Sequence, residues 1–383
     1  MLSPSNAPAE PRNGQPSYYE ISASYDSEYW RSAGSAMAQG DSSLGLGSIS
    51  LAVDGTAWHL PAFTFYTLTL LTHGSAPNEQ LAATAQGISN IEAPSAWRLY
   101  ELWSEWQLND RHSLKLGLYD VNSEFDVIDT AALFINPSQG IGPDFAQSGD
   151  NGPSIFPTTS LALRSWHHRG PWTLQLAILD GVPGDPEHPN RSVIKLDRHD
   201  GLLLLSELGF AQPEGLRVAT GYWRYTNRFD TWTTSDATAD GSQHNYGYYG
   251  LVDIRLLQQQ AQRTGLNVFL RFGSANQNIN VVGHYLGTGI VLTGPLPSRP
   301  GDQLGIALAQ AAVGEPFKQL QSTEAISLNH QERNVELTYA MLINPWLTVQ
   351  PDAQYVSHPS FDAQRRHEWM LGIRLSLNLD IRR

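Results

Sequence analysis

The C-terminal segment of this chain alternates strictly between apolar and other side chains. From Trp369 the sequence reads WMLGIRLSLNLDIRR, and an apolar residue occupies every second position as far as Ile381. Successive side chains of a β-strand point to opposite faces, so the pattern predicts a strand with one apolar face and one mostly polar face. In a soluble antiparallel sheet the apolar face packs in a core, whereas in a closed membrane barrel it faces lipid.

The same alternation recurs along the chain and predicts about sixteen strands, an even number as expected for a single barrel. It is clear where Val335, Leu337 and Tyr339 alternate with polar residues, and it is less clear at 62–72 and 202–210. The predicted strands are 18–25, 44–53, 62–72, 97–107, 112–120, 159–168, 172–180, 202–210, 215–226, 244–257, 265–274, 278–292, 302–312, 333–343, 347–357 and 368–379.

The composition excludes several other classes of protein. No apolar run approaches the ~20 residues that a transmembrane helix needs. The formal charge of −13 argues against a nucleic-acid partner, which would require a basic surface. Aromatic residues make up 10% of the chain and charged residues 16%, which suits the aromatic girdles of a membrane barrel. A large soluble β-protein is equally compatible with these proportions.

The connections between the predicted strands favour the barrel. Long connections at 73–96, 121–158, 181–201 and 313–332 alternate with short ones such as Asn109-Asp110, whereas 293–301 is longer than expected for its place in the series. Outer-membrane barrels have short turns at the periplasmic end and long loops at the extracellular end. We therefore predict an all-β fold, a transmembrane antiparallel β-barrel of about 16 strands with short periplasmic turns and long extracellular loops.

We expect one barrel domain at 17–383, preceded by a flexible N-terminal segment at 1–16. The first residues, MLSPSNAPAEP, have neither the basic n-region nor the apolar h-region of a signal peptide. If the protein is exported, we expect this chain to be the processed form.

The parity of each strand also predicts which side chains face the lumen. On 97–107 we expect Tyr100, Leu102 and Trp106 to face lipid, and the residues between them to face inward. The inward set predicted from the strands is Glu101, Trp103, Glu105, Gln107, Lys115, Arg164, Arg217, Asp253, Arg255, Arg271, Glu336, Asp352 and Arg374. Taken one at a time, these charges are better explained as the solvated wall of any water-filled pore, whereas the set as a whole is equally compatible with a selective lumen.

The 121–158 loop is the best candidate for a constriction. The chain leaves the preceding strand through Asp120, Asn122 and Glu124 and then runs apolar from Ala131 to Ile135. An apolar run in an otherwise exposed loop is expected to be buried, and folding into the barrel would bury it. Packing over the barrel mouth or across a subunit interface is the alternative, and 73–96 is a second, more polar candidate.

Several motifs resemble one family of bacterial outer-membrane proteins, the carbohydrate-selective porins of the OprB type. The similarity includes RLYELW (Arg98–Trp103), LKLGLYDVNSEF (Leu114–Phe125), ALFINPSQGIGPDF (Ala132–Phe145) and the final hairpin at Val335–Pro359. It also includes PSIFPTTSLALR (Pro153–Arg164) and LAILDGVPGDP (Leu176–Pro186). The resemblance implies passive, carbohydrate-selective diffusion of monosaccharides or small oligosaccharides through the bacterial outer membrane.

If small sugars are the solutes, we expect the inward residues to contact them during passage. Charged groups and amides can replace the water around sugar hydroxyls, and aromatic rings offer a flat surface to the CH faces of the sugar. Small sugars and outer-membrane lipid are the expected partners, and a homo-oligomer remains open; no cofactor or metal is expected. The predicted pore-lining set is Glu101, Trp103, Glu105, Lys115, Asp120, Asn122, Glu124, Arg164, Arg217, Asp253, Arg255, Arg271, Glu336, Asp352 and Arg374.

Two other functions fit the same barrel. One is a general-diffusion channel or an exporter of polysaccharide, and the other is an outer-membrane hydrolase. Glu101 and Glu105 could suggest a glycosidase pair, but four residues on a strand span about 13 Å. Glycoside hydrolysis uses carboxylates about 5–9.5 Å apart. A dispersed Ser/His triad remains open, and we do not expect an enzyme.

Overall fold

The computed structural model describes residues 18–33, 40–191, 194–232, 241–259 and 264–382, with side chains up to Asp380. These residues form a closed barrel of sixteen antiparallel strands, in which neighbours along the chain pair and β1 pairs with β16. The prediction of an all-β antiparallel barrel is therefore confirmed. The predicted N-terminal segment at 1–16 lies outside the described residues.

The strands match the predicted segments closely in position. They are β1 (Tyr19–Ser32), β2 (Asp41–Asp54), β3 (Phe63–Gly74), β4 (Ala96–Asn109), β5 (His112–Tyr119), β6 (Ser160–Arg169), β7 (Trp172–Asp180), β8 (Leu202–Gln212), β9 (Leu216–Asp230), β10 (Ser242–Leu257), β11 (Gly265–Ala275), β12 (Val282–Thr293), β13 (Gln303–Val313), β14 (Gln331–Asn344), β15 (Leu347–Ser357) and β16 (His367–Arg382).

The first strand is longer than predicted. The predicted strand ended at Tyr25, yet β1 continues to Ser32 and pairs there with Met370 of β16. Asp26 and Glu28 interrupt the polarity pattern of the sequence but not the strand, because Glu28 is buried inside the barrel. The predicted end at Tyr25 is therefore wrong, because the inner face of the strand accommodates an acidic side chain such as Glu28.

Side-chain exposure agrees with a barrel whose outer face is apolar. On β16 the alternating residues Trp369, Leu371 and Ile373 are 43%, 46% and 40% exposed, whereas Glu368 and Met370 are fully buried. Aromatic residues at the strand ends, such as Trp106 beside Phe63 at 5.4 Å between ring centroids, add to this outer face. This polarity is the reverse of a soluble sheet and is typical of a membrane barrel.

One predicted orientation is wrong. Tyr100 was expected to face lipid, but it is 2% exposed, and its hydroxyl donates a hydrogen bond of 2.6 Å to Asp120. The register between β3 and β4 shifts here, so that Leu68 pairs with Glu101 and Thr69 pairs with Leu99. The resulting β-bulge leaves Tyr100 without a partner in the ladder and brings two consecutive side chains to the same face.

The unusually long turn at 294–302 is folded against β14. Asp302 is buried, accepts a hydrogen bond of 2.6 Å from the Tyr339 hydroxyl and one of 3.0 Å from the Leu342 backbone N–H, and pairs with Arg299. These bonds give the turn an ordered structure despite its length. It remains at the end of the barrel that carries the short turns.

Short helices occur in the long connections. The 121–158 loop contains α1 (Pro137–Gly140) and α2 (Pro143–Ala146), and α3 (Glu315–Thr323) lies between β13 and β14. Among the described residues, no helix combines the length and apolarity needed to cross a bilayer.

Candidate solute passage

The apolar part of the 121–158 loop packs against the inner wall of the barrel. Phe134 lies beside Phe269 of β11, with ring centroids 6.0 Å apart, and Phe145 stacks on Trp223 of β9 at 5.3 Å. All four rings are buried. Phe269 interrupts the polar side of its strand in the sequence, and its contact with the loop explains why.

A buried ion pair fastens the same loop to β11. The Arg271 guanidinium lies 2.7 Å from Asp126 and 2.6 Å from Asp144, and the three side chains are at most 2% exposed. Arg271 also lies over the rings of Tyr249 and Tyr285, at 5.6 and 5.2 Å. A buried guanidinium requires this degree of compensation, because an unpaired charge inside a protein costs several kcal/mol.

Carboxylates of the wall bind backbone N–H groups of the loop. Glu207 accepts from the Asp126 N–H at 2.8 Å, and Asp253 accepts from the Thr130 N–H at 2.9 Å. Glu336 accepts from the Ile135 N–H at 2.6 Å and shares a hydrogen bond with the carboxyl group of Asp352. Arg217 donates to the Val127 carbonyl and pairs with Glu207 at 3.1 Å.

The connection between β3 and β4 also contacts the wall. Glu332 of β14 accepts backbone hydrogen bonds from Ala85 at 2.8 Å and Gln86 at 3.0 Å, and Gln354 of β15 donates to the Ile88 carbonyl at 2.9 Å. The two loops contact each other as well, because the Asn136 side chain donates to the Gly87 carbonyl at 2.9 Å.

Another group of predicted lumen residues forms a compact charge cluster. Glu124 lies 2.6 Å from both Lys115 and Arg164, and Arg164 also pairs with Glu105 at 3.0 Å. The Lys115 ammonium lies 4.0 Å above the Trp103 ring. Burial opposes ionisation of Glu124, but the charges of Lys115 and Arg164 outweigh it and lower the pKa of the carboxyl group to about 2.

The open space lies on the opposite side of the 121–158 loop. A cavity of about 460 Å³ separates the loops from the wall formed by β1 to β4 and β16. Its polar lining comprises Asp26, Asn78, Gln86, Asn90, Glu101, Asp120, Asn122, Ser123, Ser138, Gln147 and Arg374, and its aromatic lining comprises Tyr66, Tyr100, Phe134 and Phe156. We call this space the passage.

Three charged residues in the passage are bound to neighbours within the protein. Glu101 accepts from the Asp120 backbone N–H at 3.2 Å, and Asp120 accepts from the Tyr100 hydroxyl at 2.6 Å. Arg374 donates to Glu28 at 2.6 Å and to the Asn90 side chain at 2.5 Å. Arg374 is therefore a paired cation among several acidic groups.

The structure divides the predicted pore-lining residues into groups with different neighbours. Glu101, Asp120, Asn122 and Arg374 line the passage. Trp103, Glu105, Lys115, Glu124 and Arg164 form the adjacent charge cluster, and Arg217, Asp253, Arg271, Glu336 and Asp352 lie where the wall meets the loop. Arg255 is exposed at the short-turn end of β10, apart from all of these groups.

Several residues of this region were not predicted from the sequence. Asp144 lay in a quoted motif without a role, and Tyr66 belonged to a strand of unclear register. Glu207 stands in the run LLLLSEL, where both strand faces are apolar because Leu203 and Leu205 pack inward in the same buried cluster as Phe134. That run hides the alternation that identifies inward residues elsewhere.

The comparison with known families agrees with this architecture. A family model described as carbohydrate-selective porin, OprB family, matches residues 54–379. The chain belongs to this porin family. It is accordingly an outer-membrane channel protein, and the resemblance found in the motifs is confirmed.

Curated relatives of this porin include Porin B of Pseudomonas aeruginosa, which is 25% identical over 341 residues that cover 79% of this chain and 73% of the relative. The putative porin QuiX of Acinetobacter baylyi is 27% identical over 100 residues, covering 22% and 23% of the two chains.

Solved structures support the same fold. The high-pH structure of Pseudomonas putida OprB superposes with a TM-score of 0.84 at 17% identity, covering 94% of each chain. The low-pH structure of that protein gives a TM-score of 0.57 at 16% identity, covering 94% of this chain and 92% of the other.

The acidic lining predicts that ion selectivity of this porin depends on pH. Burial raises the pKa of Asp120 to about 6, so this carboxyl group is charged above that pH and neutral below it. A unit charge a few ångströms from a permeating ion is worth about 1 kcal/mol in water. We expect the permeability ratio of K⁺ to Cl⁻ to fall several-fold between about pH 7.5 and pH 5, as reversal potentials would measure.

The variant Asp120→Asn provides the control for this titration. It should have a lower ratio at neutral pH and should lose the part of the pH dependence centred near pH 6. If the permeability ratio changed equally with pH in the variant and in the parent porin, the titrating group would not be Asp120.

Proposed function

We propose that this porin conducts monosaccharides and short oligosaccharides through the passage, with Glu101, Asp120, Asn122 and Arg374 exchanging hydrogen bonds with sugar hydroxyls. The observation that carries the proposal is the lining of the 460 Å³ cavity, where these polar groups stand beside the rings of Tyr66 and Phe156. Carboxylates accept hydrogen bonds, a guanidinium only donates them, and an amide does both. Such a set can replace the hydration of a neutral polyol in several orientations.

These groups are already hydrogen-bonded within the protein, which favours transit of a sugar over tight binding. Asp120 already holds the Tyr100 hydroxyl, and Arg374 already holds Glu28 and Asn90. A sugar therefore competes with bonds that exist in the empty passage, and each contact contributes only a modest net free energy. Conduction needs binding that is favourable enough for entry and weak enough for release.

The 121–158 loop is the proposed constriction. Its anchors to β8, β10, β11 and β14 hold it against one side of the barrel, and the passage is left between the loop and β1 to β4 with β16. The connection between β3 and β4 contributes Gln86 and Asn90 to the same narrow region. Both loops would have to hold their positions for the passage to discriminate by size.

We infer that transit involves no covalent chemistry. The two neighbouring carboxylates of the passage, Glu101 and Asp120, both accept hydrogen bonds from the barrel itself. The purified porin should release no product from chromogenic glycosides or esters, measured beside an active hydrolase. Turnover that persists through purification and disappears in a passage variant would overturn this inference.

Liposome swelling tests the proposed solute class. Vesicles containing the porin should swell several-fold faster in glucose than in a disaccharide, because the cavity accommodates one sugar ring more readily than two. Glu101→Gln keeps the size of the side chain and replaces its carboxyl group by an amide, and we expect this variant to alter the glucose rate. Glu214→Gln, in the exposed turn after β8, is the matched control and should leave the rate unchanged. Equal rates for both sugars would contradict the proposal and favour general diffusion.

A further inference from the structure

A second cavity, of about 320 Å³, lies beside the passage at the long-loop end of the barrel. It is lined by Pro94, Phe156, Pro189 and Arg191 from three different connections, together with Arg98 of β4. Phe156 lines both cavities, so the second one adjoins the passage. A pocket of this size is within the range that small ligands occupy.

Arg98 is a buried cation without a carboxylate partner. It is 3% exposed, and its terminal nitrogens donate to the Thr72 hydroxyl at 2.7 Å, the Pro94 carbonyl at 3.1 Å and the Pro189 carbonyl at 3.0 Å. Its Nε has no hydrogen-bond partner. In the described part of the chain, no acidic side chain lies within ion-pair distance of Arg98. A buried charge surrounded only by neutral oxygens is costly, and a bound anion would compensate it.

Arg191 brings a second guanidinium to the same cavity. Its side chain is exposed, and no hydrogen bond or ion pair within the described ranges engages it. The one carboxylate in the lining, Asp185, is already bound to His188 at 2.9 Å and lies 3.8 Å from Lys195. The Lys195 ammonium offsets the charge of Asp185, and the two arginines leave the cavity net positive.

We propose that this cavity is a binding site for the oxyanion of an acidic monosaccharide, either the carboxylate of a sugar acid or the phosphate of a sugar phosphate. Arg191 donates to two oxygens of the anion, the geometry that favours a guanidinium over an ammonium group. Arg98 contributes its charge and no direct hydrogen bond, since its two terminal nitrogens already donate to Thr72, Pro94 and Pro189. The rings of Pro94, Phe156 and Pro189 face the CH groups of the sugar. Binding at this site is separate from the conduction of neutral sugars through the passage.

Titration calorimetry with glucuronate tests the site, since glucuronate differs from glucose by a carboxylate in place of a hydroxymethyl group. The intact porin in detergent should bind glucuronate about tenfold tighter than glucose, the factor that corresponds to 1.4 kcal/mol. Charge-assisted hydrogen bonds are worth at least that much. The preference should weaken at high salt, because the site is open to solvent.

Variants localise the effect. Arg191→Gln should remove most of the preference for glucuronate, and Arg98→Gln should reduce it further. Arg169→Gln, an exposed arginine at the short-turn end of β6, should leave the preference unchanged. Since Arg98→Gln can impair folding, Arg191→Gln alone decides the test.

Glucose 6-phosphate distinguishes the two sources of the anion. Tighter binding of the phosphate that is lost in Arg191→Gln would support the site and assign it to sugar phosphates. Equal affinities for glucuronate, glucose 6-phosphate and glucose would overturn the proposal, and so would a preference that survives in Arg191→Gln. Swelling rates in glucose report on the passage alone, so the two proposals can fail separately.

Discussion

Replacing Arg271 by glutamine is expected to destabilise the attachment of the 121–158 loop more than any other single change. The variant leaves Asp126 and Asp144 buried without their counter-ion, although both carboxylates lie within 2.7 Å of the guanidinium in the porin. Breaking a buried pair by removing one partner costs about 3–5 kcal/mol. Because the ion pair joins the loop to β11, we expect the loop to leave the wall while the barrel stays closed.

Two measurements distinguish release of the 121–158 loop from damage to the barrel. Single-channel conductance should become larger or noisier in Arg271→Gln, whereas circular dichroism in detergent should still show the β-sheet signal of the folded barrel. Arg333→Gln, an exposed arginine on the outer face of β14, is the control and should behave like the parent porin. Adding Asp126→Asn and Asp144→Asn to Arg271→Gln removes the uncompensated charges and should restore quiet channels. A single variant that conducts like the parent would show that the ion pair does not hold the loop.

Deleting residues 128–150 is expected to have the largest effect on transport. The deletion removes Phe134 and Phe145, which pack on the wall at Phe269 and Trp223, together with α1 and α2. The lumen next to β8–β14 would then be open to solvent. We expect a several-fold rise in single-channel conductance and the loss of discrimination between glucose and disaccharides in swelling assays.

A deletion elsewhere controls for general damage to the barrel. Removing 316–322 takes out most of α3, whose Phe317 packs against Trp232 in the loops and not in the passage. That variant should keep the conductance and sugar preference of the parent porin. If deletion of 128–150 changed neither property, the 121–158 loop could not be the constriction.

The strands were predictable because their pattern is local. A period of two fixes which face of a strand meets lipid, and the exposed Trp369 and Leu371 follow that rule. The pattern fails where a bulge intervenes, as at Tyr100, and where both faces are apolar, as around Glu207. Residues between the wall and a folded loop no longer need to be polar, so the alternation disappears there.

The roles of the lumen charges could not be read in the same way. Arg271 of β11 and Arg374 of β16 both point into the barrel, yet one lies against the 121–158 loop and the other lines the passage. The difference depends on contacts between residues distant in the chain, such as Arg271 with Asp126. The apolar run 131–135 suggested a buried loop, but no local signal indicates which strands it packs against.

Planar-bilayer recording with glucose added from the long-loop side tests the central claim most directly. We predict discrete channels whose current is blocked by glucose at millimolar concentration, with a weaker block in Glu101→Gln and an unchanged block in Glu214→Gln. Discrete channels that are indifferent to glucose, in the parent porin as in both variants, would contradict a sugar-selective passage lined by Glu101 and its neighbours.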